Sequence, residues 1–164
     1  MSDFADSYLG RLRQRIGHDL VLCPGAQVVV VRGDGRVLVQ RRTDTGAWEI
    51  PSGAAEPGQS FRDIAVTELS EEAGLRVTAA DLVPFATFSD PVRHLLVYPN
   101  GDRVHAFALC FWVRLDDSAP IDTAEAVAHR WVAADDVPHP VHPPTVRVLA
   151  MYREHRTTGK FIAD

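Results

Sequence analysis

Apolar and polar positions along the first third of the chain predict one helix followed by a hairpin. Apolar side chains recur at four-residue steps over residues 4–16, which is the spacing of an amphipathic helix. Residues 28–31 are all valine, so a strand over 26–32 should be central in its sheet and covered on both faces. A Gly-Asp-Gly turn at 33–35 then predicts that a second strand, over 36–42, returns beside the first.

The rest of the chain continues with helices and strands. A helix should begin after Ser60, which with Asp63 resembles a capping box, and should end at about Ala73 before Gly74. A Pro-Pro pair opens a last helix at about 144–157. The alternation predicts one layered α/β domain over 1–164, and the stretch between the last two helices, which holds only strands, favours a mixed sheet. Further strands are expected near 48–51, 82–89, 93–98, 104–115 and 128–133.

Composition narrows the class of protein. The 164 residues carry 17 basic and 22 acidic side chains, a net charge of −5, which argues against a protein that holds nucleic acid over a wide area. No apolar run approaches the roughly 20 residues that span a bilayer, so no membrane partner is expected. The charged start of the chain is unlike a signal peptide. Cys23 and Cys110 form no metal-binding pair and are expected to be reduced, which favours a cytoplasmic protein.

Three carboxylates on the helix after Ser60 are the first chemical signal. At about 100° per residue, Glu68, Glu71 and Glu72 share an arc of roughly 100° that overlaps the apolar side of this helix. Like charges at this spacing repel, and more strongly where water is scarce. A hard divalent cation, Mg²⁺ or Mn²⁺, would relieve that repulsion. The alternative is a solvated acidic face that holds no ligand.

The loop before this helix favours the cation site. Residues 52–58 include Gly53 and Gly58, which allow a positive φ and a close approach of the backbone to a phosphate or a metal ion. A glycine loop alone is a weak signal. A glycine loop, a capped helix and three clustered glutamates together are a specific one.

Residues 53–75 resemble the signature of the Nudix hydrolase family. That signature is Gly, five residues, Glu, seven residues, then Arg-Glu-aliphatic-x-Glu-Glu-x-Gly-aliphatic, and the flanks Gln40-Arg41-Arg42 and Arg130-Trp131-Val132 also resemble the family. The resemblance implies a Nudix-like α/β/α sandwich with a mixed sheet. The positions that match are Gly53, Glu68, Leu69, Glu71, Glu72, Gly74 and Leu75.

Two positions of the signature depart from the family. Gln59 stands where the family has its first Glu, and Thr67 stands where it has Arg. In the family that Arg orients the neighbouring glutamate, and Thr carries neither its charge nor its reach. An alternative function is therefore a Nudix-fold nucleotide-binding or regulatory protein with weak or no turnover.

The resemblance implies a metal-dependent hydrolase that cleaves the pyrophosphate of a nucleoside diphosphate linked to another moiety. Glu68, Glu71 and Glu72 are the implied metal ligands and catalytic residues, with Mg²⁺ or Mn²⁺ as the cofactor. The general base is left open between these carboxylates and Glu125 in the later loop. The partner is a small molecule and not a nucleic acid, and homodimer formation also stays open.

Four residues are candidates for substrate binding. Arg41 and Arg42 would clamp the phosphates, although neighbours on a strand point to opposite faces and at most one can face the site directly. Trp48 would stack on a base, and its alternative is a place in the core. Gly53 would bring the loop backbone to the phosphates. His139 and His142 resemble a metal pair, but proline-rich loops often carry His without that role.

Overall fold

The chain folds around a mixed sheet of eight strands in a computed structural model that describes residues 4–116 and 128–164. The five principal strands lie in the order β3-β2-β1-β7-β5, while β4 pairs with β1, β6 with β7 and β8 with β2. The strands are β1 (Val21–Val31), β2 (Val37–Arg41), β3 (Trp48–Glu49), β4 (Ser52–Ala54), β5 (Val83–Phe88), β6 (Leu95–Val97), β7 (Arg103–Arg114) and β8 (His129–Val132).

In the described part of the chain, three α-helices complete the predicted α/β architecture. They are α1 (Tyr8–Ile16), which follows a 3₁₀ turn at Phe4–Asp6, α2 (Phe61–Ala73) and α3 (Pro143–Thr158). The Ser60 side chain accepts from the Asp63 N–H and the Asp63 side chain accepts in return, so the predicted capping box is confirmed. Within the described ranges, no helix is long and apolar enough to cross a membrane.

Strand β1 is central, as its four valines predicted. Val28 and Val30 pack in a core cluster with side chains of α2, whereas Val29 and Val31 pack in a second cluster with side chains of α3. The strand begins at Val21, five residues before the predicted start, because its first part pairs in parallel with β7. Pro24 hid this part in the sequence, but its carbonyl accepts from the Ala55 N–H on the side away from β7, so the β1–β7 ladder does not need the missing N–H.

Candidate active site

A cavity of about 370 Å³ lies on the face of the sheet that also carries α3. Small side chains of β1 and β7 form its floor, and Arg42 from the end of β2 lies at its wall. Two of the three predicted helix carboxylates, Glu68 and Glu72, reach it past the loop at β4. Residues 53–75, which carry the Nudix resemblance, therefore contribute to the same cavity as the central parallel strands β1 and β7.

Glu68 occupies space that only a glycine leaves open. A Cβ atom built on Gly53 would lie 1.9 Å from Oε1 of Glu68, so any side chain at position 53 would displace the carboxylate. Gly58 has a positive φ of 93°, whereas Gly53 does not, although a glycine would allow one there. Gly53 is needed for this close approach and not for its backbone angle.

Glu72 is a buried carboxylate within a crowd of acidic groups. One of its oxygens accepts a hydrogen bond of 3.0 Å from the Ser52 N–H. Burial, with the nearby charges of Glu49 and Glu68, raises the pKa of the Glu72 carboxyl well above its ordinary value. A carboxylate in this position gains most from a nearby positive charge.

Of the other two predicted acids, only Glu71 can be located relative to this cavity. Glu71 is exposed on α2 and is not among the residues that line the cavity. Glu125 lies outside the described residues. Within 4–116 and 128–164, no group of three or more His, Cys, Asp or Glu side chains is arranged to hold a metal ion by itself.

The two neighbouring arginines separate as a strand requires. Arg42 donates 2.8 Å to Glu49 and 2.7 Å to Asp44 and lines the cavity. Burial lowers the pKa of its guanidinium, but the hydrogen bonds and charges of Asp44 and Glu49 outweigh burial, and the pKa lies above its ordinary value. Arg41 is exposed and donates to the Gly46 carbonyl, so it does not line the cavity.

A buried polar network behind Arg42 is absent from the sequence prediction. Glu49 is 4% exposed and accepts from Arg42, and the nearby Gln40 side chain opposes the effect of burial on the pKa of both Glu49 and Glu72. Burial raises the pKa of Glu49, although Arg42 opposes this effect. His142 lies with Nδ1 3.5 Å from Glu49 and lines the cavity, and burial lowers its pKa to about 4, so the ring is neutral at pH 7. A lone acid between Trp48 and Ile50 was the sequence signal for this network.

Two remaining predicted features lie elsewhere. Trp48 is 5% exposed in the core, with the Arg130 guanidinium over its ring at 5.0 Å, so in this structure it lies away from the cavity. His139 lies at a different, smaller cavity from His142, and the two do not form a metal pair.

The two departures from the signature contact each other. The Gln59 side chain donates to Thr67 Oγ1 at 3.5 Å and accepts from the Glu56 N–H at 3.0 Å. Two positions that carry opposite charges in the family signature therefore carry a neutral hydrogen-bonded pair here. Arg62 and Arg93 do not replace the missing Arg, because Arg62 donates to the Leu82 carbonyl and Arg93 pairs with Asp164.

Comparison with known proteins identifies the family to which this fold and this site belong. A model of the NUDIX domain matches residues 21–152, and the chain belongs to this family of hydrolases. It is 33% identical over 109 residues to a MutT-like protein of Streptomyces ambofaciens, a match that covers 66% of this chain and 62% of that protein. It is 33% identical over 135 residues to an RNA pyrophosphohydrolase of Sphingopyxis alaskensis, covering 74% of this chain and 85% of the relative.

Solved structures agree with this assignment at the level of the fold. An ADP-ribose pyrophosphatase of Streptococcus suis superimposes with a TM-score of 0.63 at 22% identity. The match covers 87% of this chain and 98% of that one. At this identity the likeness shows the Nudix fold and not the substrate.

Proposed function

We propose that this Nudix hydrolase cleaves the pyrophosphate of a small nucleoside diphosphate derivative with the help of Mg²⁺ or Mn²⁺. One observation carries the proposal: Glu68, Glu72 and Arg42 line the same cavity. Carboxylates suit a hard divalent cation, and a guanidinium suits phosphate oxygens. A pyrophosphate needs both kinds of partner.

The donor set fits a divalent cation that the substrate helps to hold. Mg²⁺ in such sites is commonly bound by one or two carboxylates together with substrate phosphates and water, so Glu68 and Glu72 suffice without a third protein ligand. The raised pKa of Glu72 reflects crowding by acidic groups that a cation would relieve. When bound, the ion would neutralise phosphate charge and lower the pKa of a coordinated water.

The protein's own groups supply orientation. Arg42 is fixed by Glu49 and Asp44 before any ligand binds, so little side-chain entropy is lost when it meets a phosphate. The Ser52 N–H holds the Glu72 carboxylate from behind, and Gly53 leaves space for Glu68. The general base stays open among the predicted acids, Glu125 included.

A binding protein without turnover is the second candidate. The neutral pair of Gln59 and Thr67 favours it, because the family's Arg at position 67 orients the adjacent glutamate. A second-sphere partner of a metal ligand is typically worth about 10–100-fold in metal affinity or activity. Relatives named for RNA do not decide the substrate of this chain, whose net charge of −5 favours a small ligand.

Metal binding and turnover can be measured on the same variants. We expect Glu68→Gln and Glu72→Gln each to weaken Mn²⁺ binding, followed by water relaxation, at least tenfold, and to reduce phosphate release from a nucleotide panel at least 100-fold. Glu154→Gln changes an exposed helical acid outside the cavity and is the matched control. Unchanged Mn²⁺ affinity in both site variants would reject the proposal. Nucleotide binding by the unmodified protein without phosphate release would favour the second candidate.

Glu71→Gln tests the number of carboxylate ligands. Because Glu71 is exposed, we expect a smaller loss of Mn²⁺ affinity than in the other two variants. An equal loss would return the site to the three ligands that the sequence predicts.

A further inference from the structure

We infer that the N-terminal segment, residues 4–16, roofs a pocket that takes the planar base of the substrate, with Leu9 and Tyr98 as residues that determine its affinity. This inference rests on the proposed function, because it assigns the part of the ligand that extends beyond the pyrophosphate. The sequence left this helix without any role in the site.

The floor of the cavity has space for a flat group. In the β1–β7 pair, Cys23 lies beside Ala106 and Gly25 lies beside Ala108. These four residues line the cavity that also contains Glu68, Glu72 and Arg42. Farther along the same face of β1, Val29 and Val31 pack in the core cluster that includes side chains of α3. Cys23, Ala106 and Ala108 thus leave space that larger side chains fill farther along, whereas the Gly53 carbonyl already lies over Gly25.

A second cavity, of about 470 Å³, continues from the first. The two share the side chains of Phe4, Leu9, Arg42, Tyr98 and Val104. Arg42 lies at their junction, with its guanidinium 6.0 Å from the centre of the Tyr98 ring. A ligand whose phosphates contact Arg42 can therefore place its next group against Tyr98, with Phe4 and Leu9 from the N-terminal segment above it.

The roof is fixed to both sides of the site. The Tyr8 N–H donates 2.7 Å to the Glu56 carboxylate in the signature loop. At the other end of α1, buried Arg13 donates 2.7 Å to the Arg103 carbonyl and lies 3.6 Å from Asp102. These contacts fix the position of the N-terminal segment relative to β1 and β7 before a ligand binds.

The chemistry of this pocket favours a nucleobase. An aromatic ring, two apolar side chains and a floor of small residues bury a planar ring well, and base stacking on an aromatic side chain is sequence-tolerant. Asp44 and Asn100 also line the second cavity, and their oxygens, which already accept from Arg42 and from the Asp102 N–H, keep lone pairs that an exocyclic amino group of a base can use. A small alcohol in the same place would gain less from Tyr98, because it has no flat surface to stack on the ring.

Nucleoside monophosphates isolate the contribution of the base. Calorimetry should compare AMP, GMP, CMP and UMP with ribose 5-phosphate, which carries the same phosphate without a base. We expect at least one nucleotide to bind tenfold or more tightly than ribose 5-phosphate. Tyr98→Ala and Leu9→Ala should reduce that ratio to below threefold and leave the affinity for ribose 5-phosphate unchanged. Val97→Ala, at an exposed neighbour of Tyr98 that lines neither cavity, is the matched control.

A variant that fills the pocket keeps the inference testable if one of the alanine variants fails to fold. Leu9→Trp adds volume at the roof and should lower nucleotide affinity at least tenfold while ribose 5-phosphate still binds. A ratio near one in the unmodified protein, or a ratio that none of the three variants changes, would overturn the inference. Mn²⁺ binding measured on the same variants should stay unchanged. If the unmodified protein does not bind Mn²⁺, that result would count against the proposed function and not against the assignment of the base pocket.

Discussion

The two ends of the β1–β7 pair are built on one ladder but stabilised in different ways. At one end, Val28 and Val30 are fully buried and lie beside Phe111 and Val113. At the other end, small residues lie under the cavity, and ion pairs centred on Asp102 and Asp164 hold the surrounding segments. Apolar packing therefore stabilises the first end, whereas charged side chains outline the second.

This difference shows how one strand pair can serve both stability and chemistry. Large apolar side chains on both faces leave no space for a ligand, because protein interiors are close-packed. Small side chains contribute less packing energy, but they leave a surface on which polar groups from other elements can meet. The four predictions below would weaken or sharpen this contrast, and they are ordered from the largest expected effect.

Removing the ring of Phe111 should have the largest effect. The side chain is fully buried in the cluster on the α2 side, so Phe111→Ala should lower the free energy of unfolding by about 3–5 kcal/mol. Phe107→Ala is the control on the same strand, at a residue that is 38% exposed, and should cost less than about 1 kcal/mol. Urea denaturation measures both, and similar losses would remove the contrast between the two ends.

A methyl group on Gly53 should act on chemistry more than on stability. The added Cβ meets the end of the Glu68 side chain, which must move, and a displacement of about 1 Å near reacting groups can cost about 100-fold in rate. We expect Gly53→Ala to lower kcat/KM by about that factor, which is about 2.7 kcal/mol. Thermal unfolding should change little, since a flexible side chain can yield. Activity close to that of the unmodified protein would show that the position of Glu68 is not critical.

Acid should weaken the ion pairs at the cavity end. The Arg147 side chain, by hydrogen bonding, lowers the pKa of Asp164 to about 2 despite some burial, with a smaller contribution from His94. Because the pKa is depressed in the folded state, this stabilisation is present above the unfolded pKa near 4 and is lost as the pH falls toward 2. Its size is on the order of 1–2 kcal/mol. In Asp164→Asn the free energy of unfolding should therefore fall less steeply between pH 4 and pH 2 than in the unmodified protein.

Changes at Gln59 and Thr67, the two positions that differ from the family signature, should have the smallest effect, and that effect is on turnover. Because Gln59 contacts Thr67, Thr67→Arg alone places a charge beside a neutral amide and should change turnover by less than threefold. The double variant Gln59→Glu/Thr67→Arg supplies both family charges and should raise turnover by up to about tenfold, or about 1.4 kcal/mol. Steady-state kinetics at saturating Mg²⁺ would separate the two variants. A rise in the single variant equal to that of the double would show that Gln59 plays no part.

Local signals explain the elements that the sequence predicted well. Ser60 with Asp63 and the glycine at position 74 mark the ends of α2, because capping depends on neighbouring backbone groups alone. Four consecutive valines predicted a strand buried on both faces for the same kind of reason. The start of β1 was missed because a proline reads as a break unless the position of the neighbouring strand is known.

The site was predictable only where its residues are close in sequence. Spacing on one helix brought Glu68 and Glu72 together in the prediction, but it could not separate them from Glu71, whose exposure depends on where the loop at β4 passes the helix. Glu49 was missed, and His142 was considered only together with His139, because Glu49 and His142 are distant in sequence and meet only when β3 lies beside the start of α3.

The sequence by itself determined the family, the order of the helices and of every strand except β4, which lies in the predicted loop, and the residue types available for metal and phosphate. These properties follow from periodicity, capping and a motif whose members lie within a few turns of one another. Tertiary structure alone decided that Arg42 rather than Arg41 lines the cavity, that Glu72 is buried among other acids, and that the N-terminal helix lies over the same cavity. Each of these depends on which surfaces the folded chain brings within a few ångströms, and that distance is not encoded at any single position.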